Sequence, residues 1–252
     1  MLDLVVLSPH LDDAALSCGG LLAARARAGE RVAVATVFTA DEPSVPPSRL
    51  AADLARWWGL APGSVMRARR EEDLAACRAL GVEALHLDLP EAPYRRDPAS
   101  GEILYRELAR LFPHRRPDEP ATAEALDELL AALPPAAEVW APLGVGRHVD
   151  HQLLKRAAEG RFPTALRYYE EYPYAARGLL GVWRATRPRA AWRGDVLPLA
   201  EEDLAARCAA IACYASQLAA LFGGAHRMER AVRRHVHRRG GERLWRRRKE
   251  EA

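Results

Sequence analysis

Short apolar runs alternate with longer alanine-rich or amphipathic stretches from the first residues of the chain. Residues 2–7 form a β-branched-rich apolar run and residues 31–39 form a second one, which is typical of buried strands in a parallel sheet. Between them, residues 14–28 are rich in Ala, Leu and Arg and end before Gly29, a pattern that predicts a helix. This strand–helix–strand order predicts a βαβ unit.

The same alternation continues along the chain. Further strands are predicted at 82–87, 139–142 and 165–169. Further helices are predicted at 48–58, 71–80 and 121–132, from 151 to 159, and as one long helix at 201–222. A loop is expected at 90–101, and a basic helical segment at 227–252. No repeat or long linker interrupts the pattern, which predicts a single α/β domain over 1–252.

Composition narrows the class of protein. The 252 residues are 49% hydrophobic and 28% charged, which excludes a disordered chain and is ordinary for a globular one. No apolar run reaches about 18 residues, so a membrane span is not expected. The net charge of +3 is too small to indicate a nucleic-acid-binding protein by itself.

The cysteines and the first residues indicate where the protein resides. Cys18, Cys77, Cys208 and Cys213 show no paired spacing, and the first three have apolar or alanine-rich neighbours. We expect reduced, largely buried thiols in a cytoplasmic protein. The chain has no basic segment followed by an apolar stretch at its start, so no signal peptide is expected.

Two polar clusters follow predicted strands, where sites form in open α/β sheets. His10, Asp12 and Asp13 come after the first strand, and His148 to His151 follow the turn after the fourth. Imidazole and carboxylate are ligands of divalent metals. His10 and Asp13 are placed to face one ion, with His151 as a third ligand. Three protein ligands leave a position open for water or substrate, which is typical of catalytic sites.

The other polar residues of the clusters suit proton chemistry. Asp12 cannot easily share the metal with Asp13 on the same side, so it is free to act as a base on water. His148 can stabilise a developing oxyanion or donate a proton to a leaving amine, and Asp150 can hold the tautomer of that imidazole. A lone His–Asp pair at a strand end is more often structural, but two such clusters favour a metal site.

The motifs resemble those of a known family. The segment SPHLDDA is similar to the A/P-H-P-D-D-E signature of the N-acetylglucosaminylphosphatidylinositol de-N-acetylase (PIG-L) family, also called LmbE-like deacetylases. GRHVDHQ is similar to its second motif, H-x-D-H, and residues 69–81 resemble its R-x-x-E…A…LG segment. YEEYPYA, YASQ and ERLW resemble features of its longer bacterial members, so the resemblance covers nearly the whole chain.

The resemblance implies a Rossmann-like three-layer fold and a zinc hydrolase that removes an acetyl group from an amino sugar. By position, it implies that His10, Asp13 and His151 hold Zn²⁺ or another divalent metal, and that Asp12 is the general base. His148 then matches the residue that stabilises the oxyanion or protonates the amine, with Asp150 as its orienting partner, and Arg69 matches an arginine near the substrate. The family also makes a homo-oligomer plausible.

Two residues depart from the family signature. Leu11 replaces the usual Pro and Ala14 replaces the usual Glu. Neither change removes a ligand or the base. The missing carboxylate at Ala14 is expected to alter support around the metal, with an effect on metal affinity or on the pKa of the base.

Other features have a functional and a structural interpretation. Tyr94 and Arg95, in the loop after the third strand, are candidates for substrate selection, although a solvated loop fits as well. The aromatic and acidic residues of 168–174 suit a sugar ring, or a packed strand edge. The basic segment is a solvated helix face, or a surface that attracts an anionic partner.

The leading hypothesis is a zinc-dependent N-deacetylase acting on a small N-acetylated sugar or glycoside. The first alternative keeps the zinc site but cleaves a thiol conjugate or a longer N-acyl group. The second is a non-catalytic carbohydrate- or nucleic-acid-binding protein on the same fold. Asp12 and His148 argue against that last interpretation, because a pure binder needs neither an acid nor a base beside a metal.

Overall fold

The computed structural model describes residues 1–113 and 117–248 and contains one mixed sheet with helices on both faces. The strands are β1 (Leu2–Ser8), β2 (Val32–Thr36), β3 (Glu83–His86), β4 (Ala136–Pro142), β5 (Leu166–Tyr169), β6 (Trp192–Leu197) and β7 (Glu242–Arg247). The helices are α1 (Asp13–Arg27), α2 (Arg49–Trp57), α3 (Val65–Leu80), α4 (Pro120–Ala132), α5 (Val149–Arg161), α6 (Leu179–Ala185), α7 (Glu201–Ala212), α8 (Ala215–Phe222) and α9 (Ala225–Arg239).

The sheet has the strand order β3-β2-β1-β4-β5-β7-β6. Strands β1 to β5 pair in parallel, whereas β7 runs antiparallel to both β5 and β6. The predicted α/β class with a mainly parallel sheet is therefore confirmed.

Alternate side chains of β1 build two separate apolar layers, because successive residues of a strand point to opposite faces. Leu4 and Val6 pack with buried residues of α1, α3 and α7. Val5 and Leu7 pack on the other face with buried residues of α4 and α5. Helices thus cover both faces of the sheet, which confirms the predicted three-layer arrangement.

The chain order reverses at β1. From β1 the chain proceeds through α1 to β2 on one side, and it returns later to place β4 on the other side. In doubly wound folds such a switch point opens a crevice at the carboxyl ends of the two strands, where ligands bind. Both polar clusters identified in the sequence follow these two strands.

The prediction of one long helix at 201–222 is wrong, because the structure divides this segment into α7 and α8, with a bend of 102° between them. Contacts with α3 favour the break. The backbone N–H and the hydroxyl of Ser216 both donate to Glu72, at 2.8 and 2.6 Å, and Tyr214 donates to Asp73 at 2.7 Å. These side chains bind the start of α8 and favour a new helix there over continuation of α7.

The predicted basic helical segment 227–252 is helical only as far as Arg239. Residues 242–247 form β7 instead, and residues 249–252 lie outside the described part of the chain. β7 buries Leu244 and Trp245, and the indole N–H of Trp245 donates to Glu170 at 2.8 Å. Burial of two large side chains outweighs the helical preference of the flanking arginines.

Two further expectations were tested by the fold. All four cysteines are free thiols, and three of them are buried, as the sequence indicated. Within the described residues, no single helix combines the length and apolar composition needed to cross a membrane; only the bent pair α7–α8 meets both conditions when its parts are counted together.

Candidate active site

The two polar clusters meet at the crevice between β1 and β4. The imidazole centroid of His10 lies 4.8 Å from that of His148 and 5.2 Å from that of His151. His148 and His151 are 5.4 Å apart by the same measure. One nitrogen from each of the three rings lies within 4.8 Å of the others. The predicted convergence of the two segments is therefore present in the fold.

The turn after β1 is held by its own side chains. The hydroxyl of Ser8 donates to the carbonyl of His10 at 2.8 Å and accepts from the backbone N–H of Ala14 at 3.1 Å. The carboxylate of Asp13 accepts from the backbone N–H of His10 at 3.0 Å. These bonds fix the turn so that His10 and Asp13 face the same point.

The segment after β4 is held by Glu171, which lies just past β5. Its fully buried carboxylate accepts backbone N–H groups from Gly144 at 2.7 Å and Val145 at 3.1 Å. His148 then caps α5, with its Nδ1 accepting the backbone N–H of Asp150 at 3.3 Å. These three bonds orient the start of α5 toward the crevice.

His10, Asp13 and His151 have the geometry of a metal-binding set. Asp13 Oδ2 lies 3.1 Å from His10 Nδ1 and 3.2 Å from His151 Nε2. Ligand atoms about 2.0–2.1 Å from one tetrahedral ion lie about 3.4 Å apart, so these distances suit a shared ion. The three-histidine grouping, with separations of up to 4.8 Å, is the looser of the two sets. The donor set therefore fits a divalent metal.

A carboxylate stands behind each of the two histidines. His10 Nε2 lies 2.8 Å from Asp150 Oδ2, and His151 Nδ1 lies 3.2 Å from Glu171 Oε1. Such carboxylate–imidazole pairs fix the tautomer and ring orientation of metal-ligating histidines. Each ring thus directs its other nitrogen toward Asp13.

The expected side-chain pairing of Asp150 with His148 differs from the observed one. Asp150 Oδ2 lies 3.9 Å from His148 Nδ1, beyond hydrogen-bond distance, and binds His10 instead. The backbone N–H of Asp150 orients His148 in place of its carboxylate. Glu171 was missed as an orienting residue because nothing in YEEYPY places one glutamate against a histidine 20 positions earlier.

The network shifts the pKa values of its members. Burial by itself raises the pKa of Asp13, but His151 and His10 outweigh it and hold this pKa well below its usual value. Burial lowers the pKa of His151, whereas Asp13 and Glu171 raise it to about 9. Burial likewise lowers the pKa of His10, but the hydrogen bonds that its ring donates to Asp13 and Asp150 outweigh burial and raise this pKa well above its usual value. A metal ion at these nitrogens competes with protons, so its affinity increases with pH.

Asp12 differs from its neighbour Asp13. Its side chain caps no backbone N–H at the start of α1, and one of its oxygens lies 4.0 Å from the guanidinium of Arg69. Burial, followed by the charge of Asp13, raises the pKa of Asp12 to about 7. A carboxylate with a pKa close to neutrality is suited to accept and return a proton.

The imidazole of His148 is neutral and can donate a hydrogen bond. Burial and the charge of His10 hold its pKa well below the usual value, so the imidazole is neutral. Because Nδ1 accepts from Asp150, the proton of the neutral ring resides on Nε2. Phe112 packs edge-on against this ring with centroids 5.2 Å apart and shields one side of it.

The residues predicted to bind substrate are all buried. Arg69 pairs with Glu91 at 2.5 Å and lies over the Trp58 ring at 4.7 Å. Tyr94 is buried in an apolar cluster beside Arg69's helix. Arg69 lies next to Asp12 at the edge of the site. Arg95 instead forms ion pairs with Glu119 and Asp150. The predicted role of Arg95 in substrate selection is therefore not supported by its contacts.

The two departures from the family signature are accommodated by packing. Leu11 is fully buried with Tyr94 and residues of α2 and α3. Ala14 is 3% exposed and packs in the apolar layer between α1 and the sheet. Neither side chain contributes a polar atom to the site.

Comparison with known proteins agrees with this geometry. The family model described as PIG-L, GlcNAc-PI de-N-acetylase, matches residues 5–161. A 2'-N-acetylparomamine deacetylase of Streptomyces fradiae is 36% identical over 206 residues, covering 79% of this chain and 66% of the relative. A protein of the same description from Niallia circulans is 34% identical over 188 residues, covering 67% of this chain and 66% of the relative. The matched region thus spans about two thirds of each relative.

Solved structures show the same fold over nearly the full length. The zinc-inhibited form of a teicoplanin deacetylase is 27% identical with a TM-score of 0.81, covering 99% of this chain and 100% of that one. An A40926 pseudoaglycone deacetylase is 28% identical with a TM-score of 0.76, covering 100% and 99%. The family model covers more than half of the chain and includes both motif clusters, so the chain belongs to the PIG-L family of de-N-acetylases.

Proposed function

We propose that this protein is a zinc-dependent amide hydrolase that removes the acetyl group from an N-acetylated amino sugar or glycoside. One observation carries the proposal. Asp13 Oδ2 lies within 3.2 Å of both His10 and His151, while the neighbouring Asp12 is left free with a pKa raised to about 7 by burial and the charge of Asp13. A ligand set and an adjacent free base are the two parts that amide hydrolysis requires.

The metal-binding residues are His10, Asp13 and His151. Three protein ligands leave an open position, as in catalytic zinc sites. When bound, a divalent metal supplies Lewis acidity, which polarises an acyl oxygen and makes water more acidic. Asp150 and Glu171 hold the two imidazoles in the tautomers that direct an unprotonated nitrogen to the metal.

The remaining polar residues move protons and stabilise charge. Asp12 accepts a proton from the attacking water and returns it to the amide nitrogen as the C–N bond breaks. The products are acetate and the free amine, so proton transfer balances. The Nε2–H of His148 donates to the acyl oxygen while negative charge develops there. Its lowered pKa, caused by burial and by His10, favours this role over that of a protonated acid.

The substrate class rests on the relatives. Those with the descriptions above act on 2'-N-acetylparomamine, teicoplanin and a pseudoaglycone of A40926, each in the words of its own description. An N-acetylated amino sugar within a larger glycoside is therefore the substrate proposed here. Cytoplasmic location and homo-oligomerisation stay predictions, as does the absence of a nucleic-acid partner.

The test is release of acetate and free amine from a panel of N-acetylated amino sugars by the zinc-loaded protein. We expect turnover with zinc, loss of turnover after chelation, and recovery when zinc is restored. The panel includes 2'-N-acetylparomamine, an N-acetylated glycopeptide, a longer N-acyl sugar and an amide of a thiol conjugate. Turnover restricted to the last two would favour the amidase alternative, and ligand binding without zinc-dependent turnover would overturn catalysis altogether.

A further inference from the structure

A buried chain of charged side chains lies behind His10. Arg95 pairs with Asp150 through Nη1 at 2.5 Å, and Asp150 contacts His10 at 2.8 Å. On its other side, Arg95 donates from Nε and Nη2 to the two oxygens of Glu119, at 2.8 and 3.2 Å. Arg95 is 3% exposed and Asp150 is fully buried. The contacts between Arg95 and Asp150 are thus made inside the protein.

The two oxygens of Asp150 have separate partners. Oδ2 accepts from the backbone N–H of Ala92 at 3.2 Å and faces His10, while Oδ1 faces Arg95. A carboxylate held at both oxygens cannot rotate about its terminal bond without losing an ion pair or a hydrogen bond. The contact with Arg95 therefore helps to fix the plane in which the carboxylate of Asp150 faces His10.

Glu119 is itself fixed. The hydroxyl of Thr122 donates to Oε2 at 3.0 Å, and the hydroxyl of Tyr105 donates to Oε1. The guanidinium of Arg95 also contacts the rings of Phe38 and Tyr105, with centroid distances of 5.2 and 5.4 Å. Glu119 and the two rings together restrict the movement of the Arg95 guanidinium.

The geometry requires arginine. A planar guanidinium can bind one carboxylate with two N–H groups and still present a third group to another carboxylate, whereas an ammonium is a single point of charge. Loss of one partner in such a buried group also leaves an uncompensated charge. Nε, Nη1 and Nη2 of Arg95 each contact a carboxylate inside the protein, and Nη1 also donates to the carbonyl of Pro90 at 3.2 Å.

We propose that Arg95 is a positioning residue of the metal site, that it acts on His10 through Asp150, and that Glu119 holds Arg95 for this purpose. The inference rests on the proposed metal site but not on the proposed substrate. It connects Arg95, in the segment after β3, with His10, in the turn after β1.

The test measures Zn²⁺ affinity by competition with a chelator, in Glu119→Gln and Arg95→Lys. Partners of metal-ligating histidines typically change metal affinity about 10–100-fold when altered, and we expect a loss in that range for both variants. The controls are Glu124→Gln and Arg96→Lys, which alter exposed residues of the same two segments. The controls are expected to bind Zn²⁺ within about twofold of the unaltered protein. The absorption spectrum of the Co²⁺-loaded protein reports the ligand geometry independently.

A double-variant comparison tests the route through Asp150. If Arg95 acts through Asp150, adding Glu119→Gln to Asp150→Asn lowers Zn²⁺ affinity by less than about twofold beyond Asp150→Asn alone. A purely structural role predicts a lower Tm for the metal-free variant with unchanged Zn²⁺ affinity and Co²⁺ spectrum, and this result would overturn the proposal. So would additive losses in the double variant.

The metal readout separates this inference from the proposed function. Zinc binding that depends on Arg95 and Glu119, without any amide cleavage, would support the positioning role and reject the deacetylase proposal. Amide cleavage by the unaltered protein, with Zn²⁺ affinity unchanged in both variants, would support the deacetylase proposal and reject the positioning role. Failure of the unaltered protein to bind any divalent metal would reject both.

Discussion

The Nε2 atom of His10 lies 2.8 Å from the Oδ2 atom of Asp150, 140 positions further along the chain. This contact joins the turn after β1 to the first turn of α5, and Asp13 makes a second connection to His151. Because the proposed ligands come from segments so distant in sequence, the unfolded chain has no preformed site. Metal binding therefore stabilises the folded state in proportion to the logarithm of metal concentration.

Asp12→Asn is expected to bind zinc normally and to lose most of its turnover. Asparagine keeps the shape of the side chain but cannot accept a proton, so we expect kcat to fall about 10²–10⁴-fold. The unaltered enzyme should gain activity as pH rises toward about 7, where burial and Asp13 place the pKa of Asp12, and the variant should lack this gain. Asp127→Asn, at an exposed position, is the control. A variant with near-normal kcat would remove Asp12 from the role of base.

His148→Asn, which keeps a side-chain acceptor at the N-cap of α5, distinguishes a hydrogen-bond donor from a fourth metal ligand. A donor that acts only on the developing oxyanion is worth about 10²–10³-fold in kcat, and its removal leaves metal affinity unchanged. A ligand, by contrast, lowers Zn²⁺ affinity when removed. We expect the first result, because Asp13 bridges His10 and His151 at closer distances than the three-histidine grouping provides. Chelator competition and steady-state kinetics on the same preparation decide between them.

Glu171→Gln should weaken zinc binding and destabilise the turn after β4. The carboxylate faces His151 at 3.2 Å and accepts the backbone N–H groups of Gly144 and Val145. The amide retains one acceptor oxygen, so we expect a loss of about 10–100-fold in Zn²⁺ affinity together with a lower Tm. Glu124→Gln serves as the exposed control. Unchanged affinity would show that His151 needs no carboxylate behind it.

The sequence predicted the early strands and both polar clusters because these signals are local. Apolar runs indicate buried strands, and a polar cluster that follows a strand indicates side chains at the edge of the sheet where that strand ends. It did not predict that Asp150 faces His10, or that Glu119 holds Arg95, because pairing between distant segments depends on how helices pack. Local patterns therefore located the site but not the residues that orient it.

The errors at the C-terminal end have a similar origin. The apolar stripe that includes Leu204, Cys208 and Ile211 has the spacing of one long helix. Glu72 of α3 nevertheless binds the start of α8, so the helix is divided there. The segment 242–247 is mostly charged, and only its position between β5 and β6 makes it a strand. Tertiary contacts overrode local preference in both places.

His235 should make the protein less stable in mildly acidic solution. Burial, followed by the charges of Arg207 and Arg239, lowers the pKa of His235 to about 4 in the folded state, below the usual value of about 6.5. The unfolded state therefore binds the proton first. The contribution of this group is fully present above about pH 6.5 and is lost as pH falls from there through about 4.

His235→Phe removes this titration and keeps an aromatic ring beside Tyr172, whose centroid lies 5.0 Å from that of His235. We expect the free energy of unfolding, measured by urea titration at pH 7.5 and pH 4.5, to decrease less in the variant than in the unaltered protein. His226→Phe, at an exposed position of the same helix, should leave the difference between the two pH values unchanged. Equal pH dependence in His235→Phe and the unaltered protein would reject the assignment.

Gly241→Ala tests the turn that brings the end of the chain into the sheet. Gly241 has φ 141°, a conformation that residues with a side chain rarely adopt. A Cβ at this position would lie 2.0 Å from the carbonyl oxygen of Leu197, which belongs to the neighbouring strand and cannot move without breaking the β6–β7 pairing. Strain and steric overlap add, so we expect a loss of at least about 2 kcal/mol in the free energy of unfolding. Gly29→Ala, at φ 86° but with no atom near the added Cβ, is the control and should cost less, because only the backbone strain applies. Equal losses for the two variants, measured by denaturant titration, would show that β6 does not constrain residue 241.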